Sequence, residues 1–108
     1  MNKNHILTIS YELIISEEVI QFIKDENGTA YWANDEDAEV SSDDNDDMTV
    51  TLEGVTHTFN TETALRGLAL WAQSHSQEQL QNVLDMGADH MDCDEIWQLG
   101  FFGELVYG

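Results

Sequence analysis

The chain opens on a period-2 pattern. Leu7, Ile9, Tyr11, Leu13 and Ile15 alternate with Thr8, Ser10 and Glu12, which predicts one strand over residues 5–15 with a single buried face. The next segment, EEVIQFIKDENGTAYWA, supports two readings. Asn27-Gly28 between apolar runs is the residue pair of a type I′ turn, so the preferred expectation is a hairpin with strands at about 19–26 and 29–33. The competing reading at residues 17–26 is a helix capped by the Ser16 hydroxyl, with Val19, Ile20, Phe22 and Ile23 on one side.

A second hairpin is expected over Met48–Phe59 around Glu53-Gly54. A two-residue loop sets its register: Leu52 opposite Val55, Val50 opposite His57, and Met48 opposite Phe59. The other face then pairs Thr51 with Thr56 and Thr49 with Thr58, a ladder suited to a solvated sheet surface. After Phe59 the period changes to 3.6. Asn60 or Thr61 caps a helix carrying Ala64, Leu65, Leu68, Trp71 and Ala72 on one stripe and ending near Ser74. Ser76-x-x-Gln79 is a capping box for a second helix with Leu80, Val83 and Leu84 inward, closed by Gly87. Asp92-x-x-Glu95 is expected to start a third with Ile96, Leu99 and Phe102, and residues 103–108 either extend that helix or, the preferred reading, add a final strand through Leu105, Val106 and Tyr107. Strands first and helices second predict an α+β fold, an antiparallel sheet built from N-terminal hairpins with two to three C-terminal helices on one face.

Composition sharpens this picture. At 108 residues and 42% hydrophobic, the chain is expected to be a single folded domain spanning residues 1–108. Its apolar runs fall far short of the roughly 20 residues a membrane span requires, and no basic, apolar leader stands at the N-terminus. The expected location is therefore the cytoplasm. A lone cysteine, Cys93, permits no internal disulfide and fits a reducing compartment.

Charge dominates the rest. The chain has 22 acids against 3 bases, a formal net charge of −19. Between Lys24 and Arg66 lie twelve carboxylates and no cation. Direct binding to DNA, RNA or an anionic membrane is excluded, because such affinity rests on Lys and Arg neutralising phosphates. The densest stretch is DEDAEVSSDDNDD, residues 35–47, in which eight of thirteen residues are acids: Asp35, Glu36, Asp37, Glu39, Asp43, Asp44, Asp46 and Asp47. Its composition predicts an exposed acidic loop at about 34–47. Extended at about 3.3 Å per residue, it offers one carboxylate per roughly 5 Å, approaching the ~3.4 Å charge spacing of a DNA strand. These eight acids, with Trp32 beside them as an aromatic anchor, form the expected partner-binding site. Asp89, Asp92, Asp94 and Glu95 form a secondary acidic surface, although acids at helix starts also serve as caps. Adaptation to high salt would spread acids evenly, whereas these are concentrated in one run.

Other chemistries fit less well. An EF-hand reading that starts at Asp43 meets Met48 where glycine is required and Gly54 where the bidentate Glu belongs, so no metal site is assigned. Asp89-His90 with Asp92 and Asp94 falls at a turn between helices, Ser74-His75-Ser76 is only a sequence adjacency, and His57 sits on an apolar hairpin face. No phosphate loop, paired cysteine or His-Glu metal motif is present. The expectation is a binding protein, not an enzyme, with no cofactor.

In size, charge and lack of catalytic motifs the chain resembles the acidic DNA-mimic inhibitors of phages and mobile elements. TALRGLALWAQ and IWQLGFFGELVYG are similar to segments that end small phage or plasmid proteins. The resemblance is one of composition and implies an anti-defence inhibitor, such as an anti-restriction or anti-CRISPR protein, that occupies the nucleic-acid-binding surface of a basic host protein. The alternatives are an immunity protein or antitoxin neutralising a basic nuclease, and a divalent-cation-binding or structural domain. The expected partner is a basic nucleic-acid-binding protein, and a homodimer stays open.

Overall fold

A computed structural model describes residues 4–9, 11–25, 39–42 and 47–106. The fold is α+β. In chain order it comprises β1 (Asn4–Thr8), β2 (Glu12–Ser16), α1 (Glu17–Asp25), β3 (Glu39–Ser42), β4 (Met48–Leu52), β5 (Val55–Phe59), α2 (Thr61–Gln73), α3 (Gln77–Leu84) and α4 (His90–Phe102). The strands form two antiparallel sheets instead of the single one expected, β1-β2 and β3-β4-β5. The helix α2 contacts β1, β5, α1 and α4, and so bridges the two sheets.

The single strand expected over residues 5–15 is a hairpin, with Leu7 opposite Leu13 and Thr8 opposite Glu12. Alternation could not reveal the turn. In this register every paired position has the same parity as its partner, so residues that would share a face of one long strand share a face of the hairpin too. Leu7 and Ile15 are buried on that face, and Leu13 is half-buried.

The expected hairpin at 19–26 is instead α1, the competing reading. Val19, Ile20 and Ile23 are all buried. A strand would send the adjacent Val19 and Ile20 to opposite faces, whereas a helix turns both toward the core. The indole Nε1 of Trp97 donates to the Ile23 carbonyl at 2.9 Å, satisfying an acceptor in the last turn of α1 that has no partner within the helix. The Asn27-Gly28 pair and the strand expected at 29–33 lie outside the described residues.

The β4–β5 hairpin has the expected register at all five pairs. Glu53 and Gly54 both take positive φ, 51° and 82°, as a type I′ turn requires. Val50, Leu52 and Phe59 are buried on one face. On the other, the Thr51 and Thr56 hydroxyls hydrogen-bond at 3.0 Å.

The helix starts follow local chemistry. Asn60 caps α2, its side chain accepting from the Thr63 N–H at 2.9 Å. Ser76 and Gln79 form the expected reciprocal box on α3. Gly87 is not the residue that closes α3 in the left-handed conformation; Met86 is, with φ 59°. Gly87 N–H reaches the Asn82 carbonyl at 2.8 Å and Met86 N–H the Val83 carbonyl at 2.9 Å, the bond pair of a Schellman closure. The last helix begins earlier than expected, because Asp89, not Asp92, is its cap and accepts from the Asp92 N–H at 2.9 Å. Gly103, at φ 76°, closes it. The expected C-terminal strand is not formed over Gly103–Val106. Instead, buried Gln98 accepts the Val106 N–H at 2.8 Å.

The core centres on Phe59 and Trp97, stacked at 4.0 Å and 4°. Two glycines bring α2 and α4 close together. A Cβ on Gly67 would lie 2.1 Å from the Ile96 carbonyl oxygen, and one on Gly100 would lie 2.5 Å from that of Thr63. Among the described residues, no helix is long and apolar enough to cross a membrane.

Candidate partner-binding surface

The acid run is not wholly a loop. Its middle, Glu39–Ser42, pairs with β4 as strand β3, with Glu39 opposite Thr51 and Ser41 opposite Thr49. Val40-Ser41-Ser42 interrupts the acids with a β-branched residue and two hydroxyls, a stretch that tolerates strand geometry. The Ser41 hydroxyl meets that of Thr49 at 2.8 Å. Glu39 therefore shares a sheet face with Ser41, Thr49, Thr51, Thr56 and Thr58, and its side chain is exposed. Among the described residues β3 is an edge strand, paired with β4 alone. Acidic residues on an edge discourage pairing with another strand of like charge.

Asp47, the last acid of the run, has a structural task. Its Oδ1 accepts from Lys24 Nζ at 2.8 Å, and the Lys24 side chain is only 8% exposed. Asp35, Glu36, Asp37, Asp43, Asp44 and Asp46, together with Trp32, lie outside the described residues.

The secondary acids divide. Asp89, the exposed cap of α4, lies close enough to Asp92 for the two charges to repel, and Glu95 adds to that repulsion. The Asp92 carboxyl is held above its ordinary pKa, first by burial and then by the charges of Asp89 and Glu95, with a hydrogen bond from the Asp89 backbone and the nearby His75 pulling the other way. Glu95 Oε1 accepts from Trp71 Nε1 at 3.2 Å and lies 3.8 Å from His75 Nε2. The imidazole of His75 stacks on Trp71 at 3.9 Å, and its Nδ1–H donates to the Trp71 carbonyl at 2.7 Å. Asp94 points elsewhere, with Gln98 Nε2 donating to both its oxygens at 3.3 Å. Three of the four acids thus share one neighbourhood and the fourth does not. The pairing of Glu95 with Trp71 and His75 crosses from α4 to α2 and had no sequence signal.

His57 packs between Phe101 and Phe102, with ring centroids at 5.5 and 5.3 Å, the rim position its hairpin register implied. Among the described residues, no group of three or more His, Cys, Asp or Glu side chains is placed to hold a metal ion.

The cations complete the electrostatics. Lys24 is committed to Asp47, and Arg66 donates from Nε and Nη2 to the Gly100 carbonyl at 2.9 and 2.6 Å. Both cations among the described residues are therefore engaged within the fold, and neither pairs with the exposed acids, which run from Glu12 and Glu18 through Asp25, Glu39, Glu53, Glu62, Glu78, Asp85 and Asp89 to Glu104. Compared with protein-family models, curated proteins and solved structures, the chain matches none.

Proposed function

We propose that this protein is an acidic inhibitory binding protein that acts as a DNA mimic, placing its carboxylates on the nucleic-acid-binding surface of a basic host protein such as a restriction, CRISPR or other DNA-binding factor. The observation that carries this reading is the engagement of Lys24 and Arg66. With Lys24 paired to Asp47 and the exposed Arg66 tied to a backbone carbonyl, neither pairs with an exposed acid, and the net charge of −19 steers association onto a basic surface. The acid run leads that contact from either end of an edge strand whose exposed face carries only Glu39 and hydroxyls. The proposed setting is the cytoplasm of the host cell, and the proposed role is binding without catalysis.

The test is charge neutralisation with Asp47 spared, since its removal would strand Lys24. Asp35, Asp37, Asp43, Asp44 and Asp46 become Asn, and Glu36 and Glu39 become Gln. Circular dichroism and thermal unfolding should show an intact fold, while affinity for the basic protein captured by the natural chain falls at least about 100-fold. Undiminished affinity would contradict the assignment of the contact to this run.

A further inference from the structure

The β1–β2 hairpin leaves an apolar face open. Ile6 and Ile14 are directly opposite each other, and their side chains are 61% and 73% exposed. Around them on the same face lie Asn4, Thr8, Glu12 and Ser16, one acid and no cation among these described strand residues. The only imidazole on these two strands, His5, is on the inner face and hydrogen-bonded to Glu17. Among the large apolar side chains of the described residues Ile14 is the most exposed, followed by Met91 at 65% and then Ile6, and the two isoleucines are paired directly across the hairpin.

We infer that this face is the apolar anchor of the contact with the basic partner, taking a partner segment in which apolar and cationic side chains alternate. The inference rests on the reading of the protein as an acid-on-base binder. Charge determines the occupant. A second copy would set one chain of net charge −19 against another, and a basic segment would meet attraction from the whole chain's field instead. Size agrees. Two five-residue strands present a plane of roughly 160 Å² at ~3.4 Å rise and ~4.8 Å spacing, well under the ~800 Å² per partner of a stable dimer. Such a face serves as one desolvated spot inside a larger polar contact. Charge sets the encounter rate and apolar anchors set the residence time, so the acid run and the hairpin divide the work.

Two synthetic peptides of equal length and charge test this, one alternating Lys and Ile and the other alternating Lys and Ser. The full chain should bind the Lys-Ile peptide about tenfold more tightly, through slower dissociation. The difference should vanish in the I6T/I14T variant, whose threonines keep the strand preference, while Lys-Ser binding stays unchanged. Amide shift changes in the natural chain, which need no variant, should concentrate on residues 4–8 and 12–16 for the Lys-Ile peptide alone. Equal affinities, a preference that survives the substitutions, or shifts located elsewhere would overturn the assignment while leaving the acid-on-base reading standing. If neither peptide binds, that reading fails as well. A dimer that forms in 1 M NaCl and is lost in I6T/I14T would give the face to a second copy and also overturn the inference.

Discussion

Lys24 Nζ donates to Asp47 Oδ1 at 2.8 Å, tying the buried end of α1 to the residue that closes the acid run. This bond removes one of the chain's few cations from the surface and gives one of its acids a structural role. Replacing Asp47 by Asn leaves a buried ammonium without its counter-charge and should destabilise the fold by about 2 kcal/mol. E39Q, on an exposed acid of the same run, should stay within about 0.5 kcal/mol of the natural chain. In chemical denaturation, K24M combined with D47N should recover most of the loss, because it removes the stranded charge.

The contact between α2 and α4 depends on two missing side chains. G100A places a methyl where the Thr63 carbonyl oxygen stands 2.5 Å away, and G67A meets the Ile96 carbonyl at 2.1 Å. Backbone cannot swing aside as a side chain can, so the helices must separate. Each substitution should lower stability by about 3 kcal/mol in urea unfolding.

Met86 holds the left-handed position that ends α3, at φ 59°. Glycine adopts that conformation without the Cβ clash. M86G should raise stability by about 0.5 kcal/mol, the gain from relieved strain exceeding the added entropy of the unfolded chain, as a small upward shift in melting temperature would show.

Asp92 has a raised pKa in the folded chain, through burial first and the charges of Asp89 and Glu95 next. A carboxyl whose folded pKa exceeds its unfolded value binds its proton more tightly in the native state. Its ionisation therefore opposes folding, and this opposition sets in as pH rises through the window between the two values. D92N should stabilise the protein at pH 7, and the gain should shrink as pH falls through the window from the raised folded value to the ordinary aspartate value and be gone below it. Denaturation curves of both chains from pH 3 to 7 give the comparison.

Elements governed by adjacent residues were legible in the sequence. The β4–β5 register followed from Glu53-Gly54 and two consistent faces, and the caps of α2 and α3 followed from Asn60 and the Ser76–Gln79 box. Features governed by distant partners were not. The α1 segment had a rival turn signal in Asn27-Gly28, and its helical state is favoured by burial of Val19, Ile20 and Ile23 and by an indole 74 residues away. The break in the first strand was invisible because the turn preserved parity. For the surface, the excess of acid was plain from composition, but the commitment of Asp47 to Lys24, the Glu95–Trp71–His75 contact and the exposed Ile6–Ile14 pair each depend on which segments the fold brings together.

The acidic surface is proposed to occupy a site otherwise filled by nucleic acid. The most direct measurement is capture from nuclease-treated host lysate on the immobilised protein, with elution by added duplex DNA and, separately, by a salt gradient. One basic nucleic-acid-binding protein is expected, released at a defined salt step and displaced by duplex DNA in proportion to its concentration. Retention of the captured protein in saturating duplex DNA would contradict mimicry, and release of only scattered basic proteins at low salt would contradict a dedicated partner.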